Sequence, residues 1–428
     1  MVLVTIAFLL FIFLGMPVAF AIGISGFLFF VQNLNLPITM PIQLALSQTQ
    51  NFPLLAVPLF IAAGNLMNSG GVTRRLLDLS TVLTGHMRGG LAQVSVALST
   101  LMGGVSGSCI ADSAMESRIL GPEMIKKGYA KGYIAAVIGW TSLIVPTIPP
   151  SIGLILYGTV GQISIGRLFA GGIAPGLLMA LFLMITVSIT SKKRGYLPER
   201  EKRASLKEML ISMWKNILAL MFPIMLLIGL RFGLFTPSEV GALAVVYAFF
   251  VGFFVYKELT FKSVLDFLIN SVSDIGAVMF LIALSGIFGY GIVWERIPEA
   301  IVNLFLGIST NPIILLFIIV VFLVLAGMFI DGSVLILMLT SIFLPIAEKV
   351  GIDPVHFGLI FVITITLGNL TPPVGAAMYA ICSILDCSLK EFVKESVPFF
   401  IAILLVLIVL IFLPQFVLFI PNLLFGKY

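Results

Sequence analysis

Long apolar stretches separated by short polar loops run through the whole chain. Runs of roughly 20 apolar residues have the length of a helix that crosses a membrane, so the pattern predicts membrane-spanning helices. Residues 2–31 form one apolar run interrupted at 15–17. We predict two spans there, because the similar turn at 235–237 separates two later spans. Residues 32–51 are predicted to form a loop. The remaining spans are predicted at 52–68, 168–190, 209–230, 238–256, 265–292 and 395–420.

Two shorter stretches mix apolar and polar residues with the period of a helix. In the stretch that follows Gly71, residues Val72, Leu76 and Leu79 fall on one helical face, and charged residues occupy the positions between them. Residues 296–308 show a similar mixture. We therefore predict two amphipathic helices that lie along the membrane surface.

Glycine and proline interrupt the apolar sequence at four places, which form two matching pairs. The first pair is 104–108 and 146–151, and the second is 327–333 and 368–373. One constant offset along the chain, without a gap, places Gly104 on Gly327, Pro122 on Pro345, Gly128 on Gly351, and 149–150 on 372–373. Such interrupted segments at matching positions of two halves are typical of transporter binding sites. The alternative, ordinary proline kinks in membrane helices, leaves the common offset unexplained.

The sequence around these interruptions predicts a hairpin and a broken helix in each half. Basic residues flank 90–124 on both sides, which favours a re-entrant hairpin that enters and leaves on one side of the membrane. A broken helix follows at 130–158. The second half repeats this order, with a hairpin at 311–345 and a broken helix at 354–383. Irregular backbone at membrane depth is tolerated where protein buries it or where it lines a cavity.

The composition and the distribution of charge support a multi-pass membrane protein. Hydrophobic residues make up 60% of the chain and charged residues 10%, against about 25% charged residues in an average soluble protein. Placing the loop 192–207 in the cytoplasm makes the two halves inverted and puts 19 of the 24 lysines and arginines inside. These lie at 74–88, 118–131, 192–215, 257–262 and 390–394. The net charge of +5 therefore indicates orientation and not a nucleic-acid partner.

Several kinds of chemistry are excluded or disfavoured by what the sequence lacks. The three cysteines are scattered and form neither a disulfide framework nor a zinc-binding spacing. There is no P-loop motif, so the chain does not hydrolyse ATP by that route. The longest polar loop is 192–207, so a domain that captures a substrate would have to be another protein.

The two hairpins are predicted to turn near residues 104–108 and near 331–332, and we call these turns the tips. The ligand atoms available at both tips are oxygen atoms. Hydroxyl groups of Ser106, Ser108 and Thr371 lie there, together with carbonyl groups freed near Pro149 and Pro372. Helix C-termini with free carbonyl groups suit a dehydrated Na⁺, and helix N-termini with free N–H groups suit an anionic substrate. Oxygen ligands with little formal charge favour Na⁺ over Ca²⁺. The alternative for the serines is a turn of small residues that allows close helix packing.

Two aspartates are the ionisable residues nearest the tips, Asp112 and Asp331. A charge at membrane depth costs about 3 kcal/mol, so it indicates function by default. We expect Asp331 to complete the second ion site, and Asp112 to serve an ion, substrate hydroxyl groups or the caps of its own hairpin. The alternative is that both are satisfied polar turn residues. The two histidines, His86 and His356, are interpreted as surface or interfacial.

The motifs resemble those of one family of bacterial membrane proteins. The segments 103–113 (Gly-Gly-Val-Ser-Gly-Ser, then Ile-Ala-Asp-Ser), 148–151 (Ile-Pro-Pro-Ser) and 369–375 (Asn-Leu-Thr-Pro-Pro-Val-Gly) resemble the large membrane subunit of TRAP transporters. These are tripartite ATP-independent periplasmic transporters. The resemblance covers essentially the whole chain and is strongest to the sialic-acid branch. It implies an all-α polytopic fold of two inverted repeats, in the elevator-type ion-transporter superfamily, in the bacterial inner membrane.

The resemblance also implies a function, cofactors and partners. The expected function is Na⁺-coupled uptake of an organic acid, with sialic acid as the first choice, and no enzymatic activity. Na⁺ is the coupling ion, and no other cofactor is expected. The expected partners are a small four-helix membrane subunit and a periplasmic binding protein that delivers the substrate. Some family members fuse the small subunit to the N-terminus. Residue 1 opens directly on the large subunit, so we expect the small one to be a separate chain.

Site residues and domains are implied by the same resemblance. The first Na⁺ site is expected at Ser106, Ser108, Gly139, Val145 and Pro149. The second is expected at Gly327, Asp331, Gly332, Thr364, Gly368 and Thr371. Substrate contacts are expected from Asp112, Ser108, Pro150, Ser151 and Pro373. A moving transport domain is expected at 90–165 and 311–388, within a scaffold formed by 1–89, 166–310 and 389–428.

Two alternatives to the expected function stay open, and two others are disfavoured. The substrate could be a C4-dicarboxylate or another carboxylate. A carrier or antiporter of the same superfamily would work without a binding protein. An intramembrane aspartyl protease using Asp112 and Asp331 is disfavoured, because the sequence Met-Phe-Ile-Asp-Gly-Ser is not the Gly-x-Gly-Asp expected of that class. A channel is disfavoured, because closed hairpins at mid-membrane suit alternating access.

Overall fold

Helices account for the regular structure in the described part of the chain. The computed structural model describes the backbone of residues 2–426 and all side chains there except those of residues 2, 261–263, 265, 266 and 270. Residues 1, 427 and 428, at the ends of the predicted scaffold segments 1–89 and 389–428, lie outside this range. The side chain of Lys262, in a predicted cytoplasmic segment, also lies outside it.

The described residues of the first half form ten α-helices. They are α1 (Val2–Phe13), α2 (Val18–Gln32), α3 (Met40–Thr49), α4 (Ala56–Ser69), α5 (Val72–Thr84), α6 (Leu91–Met102), α7 (Cys109–Lys126), α8 (Lys131–Ser142), α9 (Ile152–Val160) and α10 (Ile165–Arg194). A short 3-10 helix, Phe52–Leu55, leads into α4.

Eleven α-helices follow in the second half, up to residue 426. They are α11 (Leu206–Lys215), α12 (Ile217–Arg231), α13 (Pro237–Phe250), α14 (Phe261–Trp294), α15 (Ile297–Ile308), α16 (Pro312–Gly327), α17 (Gly332–Lys349), α18 (Pro354–Gly368), α19 (Ala376–Leu385), α20 (Leu389–Phe412) and α21 (Pro414–Phe425). A π-helical turn, Val251–Val255, extends α13.

The helix bounds confirm the sequence repeat. The offset that places Gly104 on Gly327 also moves Cys109 and Lys126, the ends of α7, onto Gly332 and Lys349, the ends of α17. The same offset moves the first residue of α8 onto the first residue of α18. Both proline pairs, 149–150 and 372–373, have a cis peptide bond. The predicted hairpins and broken helices are therefore present in both halves.

Three predicted elements differ from the structure. The loop predicted at 32–51 contains α3, which packs against α14. The span predicted at 209–230 is two helices, α11 and α12, bent by 69° at Asn216, whose side chain donates to Ser212 O at 2.7 Å. The span predicted at 395–420 is broken at Leu413, because the residue before a proline is disfavoured in a helix. Pro414 then begins α21. The predicted break at 15–17 is confirmed, since α1 ends at Phe13 and α2 begins at Val18.

Length and composition mark several helices as membrane spans. Six helices in the described part of the chain are long and apolar enough to cross a membrane, and a seventh span results if α11 and α12 count as one. Many apolar side chains on them are exposed to the surroundings. A multi-pass membrane protein is therefore confirmed.

The amphipathic helices α5 and α15 lie against the hairpins. Helix α5 packs on α6 and buries Val72, Leu76 and Leu79, as its pattern predicted, while α15 packs on α17.

Near the start of the first broken helix, Lys131 Nζ lies 2.9 Å from Asp386 Oδ2, and the ammonium group lowers the pKa of that carboxyl group. This ion pair joins the start of α8 to the end of α19.

His356 is buried, which corrects its interpretation as a surface or interfacial residue. It lies in the first turn of α18, which Asp353 caps by accepting from the N–H groups of Val355 and His356. The residue is 2% exposed, and its Nε2 atom lies 2.8 Å from Leu410 O in α20. The sequence shows no sign of this contact, because the two residues lie far apart along the chain.

Candidate functional site

The first tip, residues 103–108, joins α6 to α7 and packs on the break of the first broken helix. Ser108 caps α7 by accepting from Ala111 N at 3.4 Å. Gly107 has φ 64°, a conformation that glycine adopts readily, and a Cβ there would lie 2.4 Å from Pro150 O. The backbone of the tip therefore approaches the backbone of the broken helix directly.

The break between α8 and α9 leaves backbone groups without helical partners. Ser151 caps α9 by accepting from Leu154 N at 3.2 Å, and its hydroxyl group donates to Pro146 O at 2.5 Å. Thr147 Oγ1 donates to Leu143 O at 3.0 Å. The carbonyl groups that remain at the end of α8 are a source of oxygen ligands.

One predicted ligand of the first Na⁺ site has an oxygen atom in need of a partner. Ser106 is 8% exposed, and its Oγ atom has no hydrogen-bond partner among the described residues. A buried hydroxyl group without a partner is costly, and a bound cation would satisfy it. Gly139 and Val145, on either side of the end of α8, are buried. These features fit a small cation with oxygen ligands.

The second tip, residues 328–331, packs on the break between α18 and α19 in the same way. A Cβ on Gly368 would lie 2.4 Å from Gly327 C and O, so the two backbones are in contact. Val374 N donates to Met328 O at 3.1 Å, which ties the tip to the break. Thr371 Oγ1 donates to Gly368 O at 3.0 Å. Thr364 is fully buried one turn earlier in α18.

Asp331 has a structural role at this tip. Its Oδ1 atom accepts from Ser333 N at 2.9 Å, so Asp331 is the N-cap of α17. This bond satisfies one carboxylate oxygen. It agrees with the interpretation of Asp331 as a satisfied turn residue, and it leaves Oδ2 available for another ligand.

A cavity of about 430 Å³ lies between the two tips. Its lining includes Ser108 from the first tip, Asp331 from the second tip, and residues of α2 and α14. Four helices begin at this cavity, namely α2, α7, α9 and α17, and the residues at their starts that line it are Val18, Cys109, Ile152 and Gly332. Asp331 is the charged residue in its lining. A larger cavity of about 530 Å³ is lined by other residues, around Asn51 and Phe425.

The predicted substrate residues divide between this cavity and its surroundings. Ser108 lines the cavity, whereas Pro150, Ser151 and Pro373 lie in the breaks outside its lining. Asp112 also lies outside it, buried within the first hairpin. Lining residues that the sequence did not single out are Pro17, Ser333, Thr366 and Asn369. Pro17, Ser333 and Asn369 lie within the interrupted segments, which could have marked them.

The first hairpin also contains a buried carboxylate that the sequence reasoning missed. Glu116 is fully buried, and Ser95 Oγ and Ser99 Oγ donate to its two carboxylate oxygens at 2.6 and 2.7 Å. Ser99 Oγ also lies 3.4 Å from Asp112 Oδ2. Glu116 follows Asp112 by four residues, so the two share one face of α7. That spacing within an apolar hairpin is the signal that could have found it.

Comparisons with known proteins give one consistent result. The family model described as "Tripartite ATP-independent periplasmic transporter, DctM component" matches residues 5–416. The chain is 36% identical over 407 residues to the isethionate TRAP transporter permease protein DctMQ of Oleidesulfovibrio alaskensis, covering 95% of the chain and 64% of that longer protein. It is 34% identical to the sialic acid TRAP transporter large permease protein SiaM of Vibrio cholerae, covering 97% of both.

A solved structure shares the fold. The crystal structure of the Alcanivorax borkumensis YdaH transporter, described as having an unusual topology, matches 87% of each chain with a TM-score of 0.62 at 13% sequence identity. At that identity the likeness concerns the fold alone.

Proposed function

The chain belongs to the DctM family of tripartite ATP-independent periplasmic transporters, and on that premise we propose that it carries an organic acid across the bacterial inner membrane. Uptake is driven by Na⁺ bound at the two tips. The observation that carries this proposal is the cavity between the tips, at which four helices begin. Helix N-termini favour negative charge, so this cavity suits a carboxylate or sulfonate group.

Coupling to Na⁺ follows from the charges at the cavity. An anionic substrate next to Asp331 would bring two negative charges together at low dielectric constant, which is unfavourable. A cation at each tip offsets this repulsion, so the occupied Na⁺ sites favour substrate binding. The first site uses Ser106, Ser108, Gly139, Val145 and Pro149. The second uses Gly327, Asp331, Gly332, Thr364, Gly368 and Thr371.

Several organic acids fit this proposal. Sialic acid is the first choice, because the likeness to the V. cholerae large permease covers almost all of both chains. Isethionate is the second, from the O. alaskensis relative, and C4-dicarboxylates remain a third. Competition by these acids against one labelled substrate would rank them.

The partners are a small four-helix membrane subunit and a periplasmic binding protein. The O. alaskensis relative is longer than this chain, which spans 64% of its length. A substrate-capturing partner also accounts for the short loops of this chain. A carrier of the same superfamily that needs no binding protein is the rival, and uptake with and without a binding protein distinguishes the two.

The transport step is a sliding movement of one helical unit against another. The hairpins and broken helices of 90–165 and 311–388 move, and α2, α4, α13 and α14, which pack together, stay fixed. Helix α10 packs on α6, α9 and α18, and α20 packs on α8. We therefore propose that α10 and α20 belong to the moving unit, which enlarges the division predicted from the sequence.

Uptake by proteoliposomes tests this function. The vesicles contain this chain and its small subunit, with binding protein and labelled sialic acid outside. We expect accumulation only when an inward Na⁺ gradient and the binding protein are both present. Full accumulation with K⁺ in place of Na⁺ would contradict the coupling. Equal uptake without the binding protein would favour the rival carrier.

Asp331→Asn separates the capping role of Asp331 from its charge. Asparagine caps a helix about as well as aspartate, so this variant should keep the thermal stability of the wild type. It should raise the Na⁺ concentration that gives half-maximal uptake by about tenfold, because a negative charge near the cation is lost. Asp331→Ala should also lower stability by about 1 kcal/mol.

The control for this pair is Glu123→Gln, which removes an exposed carboxylate that pairs with Lys126 at 2.9 Å. An Na⁺ titration of Asp331→Asn identical to that of the wild type would leave capping as the role of this residue.

A further inference from the structure

Two carboxylates are buried inside the first hairpin without a cation beside them. Asp112 is 1% exposed and Glu116 is fully buried, and they are the buried acidic side chains among those that the structure describes. Neither carboxylate takes part in a salt bridge in the described part of the chain. Two neighbouring carboxylates in a site of low dielectric constant do not both ionise.

The hydrogen bonds around Glu116 suit a neutral carboxyl group. Ser95 Oγ lies 2.6 Å from Glu116 Oε2 and 3.0 Å from Thr141 Oγ1, and Thr141 Oγ1 donates to Ile138 O at 3.1 Å. When Glu116 is neutral, this bond can reverse: Glu116 Oε2–H donates to the Ser95 hydroxyl group, which donates to Thr141 Oγ1, so every member of this chain of hydrogen bonds keeps a partner. Ser99 donates to the other oxygen.

The neighbouring carboxylate has an oxygen without a partner. Asp112 Oδ1 is buried and accepts no hydrogen bond from the described residues, while its Oδ2 atom lies 3.4 Å from Ser99 Oγ. The same hydroxyl group thus faces both acids. A buried carboxylate oxygen without a hydrogen-bond partner, next to a second acid, disfavours ionisation of both groups. The arrangement therefore favours a pair that holds a proton.

The second half of the chain shows that packing does not require these polar groups. The constant offset between the halves places Asp112 on Leu335 and Glu116 on Leu339. It places the two serines, Ser95 and Ser99, on Ile318 and Phe322. The second hairpin therefore forms the same pair of helices with apolar residues at these positions. The acids of the first hairpin are an addition to a fold that forms without them.

We propose that Glu116, with Asp112 as its neighbour, is a proton-binding site that moves with the first hairpin and is separate from the two cation sites at the tips. A bound proton is favoured over a metal ion because both Glu116 oxygens already have hydroxyl partners. In addition, neither acid lines the cavity between the tips or the larger cavity around Asn51 and Phe425.

Other titratable groups near this pair either have partners of their own or lie towards the far end of α7. Helix α6, which packs on α7, carries none. On α8, Lys131 binds Asp386 and the Tyr133 hydroxyl group contacts Ser191. On α19, Tyr379 donates to Pro373 O, and Cys382 lies beside Cys387. On α7 itself, the charged residues Arg118, Glu123 and Lys126 lie towards its C-terminal end, and the Cys109 thiol contacts Ser142.

Infrared spectroscopy of the purified full chain tests proton binding without any transported substrate. Glutamates labelled with ¹³C at the side-chain carboxyl group shift the C=O stretching band of a neutral glutamic acid. Glu116 is the buried glutamate among the described side chains, so a shifted band at neutral pH identifies it without a substitution. We expect this band in the wild type and in Glu123→Gln, and its loss in Glu116→Gln.

Three outcomes would overturn the proposal. One is a glutamic-acid band that appears only below about pH 5, where an ordinary exposed glutamate takes up its proton. Another is a band that persists unchanged in a folded Glu116→Gln protein. The third is loss of the band on adding Na⁺ at constant pH, which would identify a cation site instead.

The effect of this proton site on uptake rests on the proposed function, and a separate experiment measures it. Above the pKa of the pair, each pH unit lowers the protonated fraction about tenfold, and the charged hairpin moves less readily. Uptake by the wild type should fall accordingly at alkaline pH, whereas Glu116→Gln, which cannot lose a proton, should keep its rate. Equal alkaline losses in both proteins would reject this link, while the infrared result would still stand by itself.

Discussion

Gly368→Ala should reduce Na⁺-driven uptake on the order of 100-fold. The added methyl group would lie 2.4 Å from the carbonyl carbon and oxygen of Gly327, which is far inside contact distance. Both partners are main chain, so no side-chain rotation relieves the overlap, and the second tip must move away from the broken helix. The predicted second Na⁺ site would then lose its geometry. Uptake by proteoliposomes as a function of Na⁺ concentration measures the effect.

Two glycines provide a graded comparison. A Cβ on Gly327 would lie 3.1 Å from its nearest neighbours, so Gly327→Ala should be milder than Gly368→Ala. A Cβ on Gly307, in the amphipathic helix α15, would meet no atom within 4 Å, so Gly307→Ala should leave uptake unchanged. Wild-type uptake by a folded Gly368→Ala protein would contradict a role for this backbone contact.

Cross-linking the arm α15 to the second hairpin should abolish uptake. Phe305 in α15 and Phe343 in α17 have ring centroids 5.7 Å apart. Cysteines at these two positions, joined by a short reducible reagent, would fix the proposed moving unit to the proposed scaffold. Uptake should return after reduction. The background for this experiment replaces the three native cysteines, Cys109, Cys382 and Cys387, by alanine.

A second cross-link tests the boundary of the moving unit. Phe317 in α16 and Phe412 in α20 have ring centroids 6.0 Å apart. If α20 moves with the hairpins, joining these positions should leave uptake near the level of the wild type. A block at both pairs would return α20 to the scaffold, as the sequence first predicted. No block at either pair would reject the sliding mechanism.

The parts of the fold that could be predicted from the sequence are those determined by residues that act locally. Glycine and proline end helices by their own conformational limits, so both tips and both breaks were located from single residues such as Gly107 and Pro149. The constant offset then linked the halves, because two copies of one element order keep the same spacing. The family followed from these same segments.

The remaining features depend on contacts between distant residues. Helix α3 has few apolar residues in regular spacing, and its packing partner α14 lies in the other half of the chain. The bend between α11 and α12 occurs within an apolar stretch, where composition gives no boundary. The cavity joins Ser108 and Asp331, which the constant offset relates, to Pro17, which no pattern connects with them. The assignment of α10 and α20 to the proposed moving unit likewise rests on packing alone.

The repeat has an energetic consequence for the resting state of the protein. If the outward-facing and inward-facing states of the proposed transporter exchange the conformations of its two inverted repeats, the free-energy difference between the states depends on how the two halves differ. Identical halves would give both states the same free energy, and each would be half populated. The halves here differ where Asp112 and Glu116 correspond to Leu335 and Leu339. Under the proposed sliding mechanism such differences shift the balance between the two states, so we expect substitutions inside one hairpin to change the resting orientation without touching the substrate.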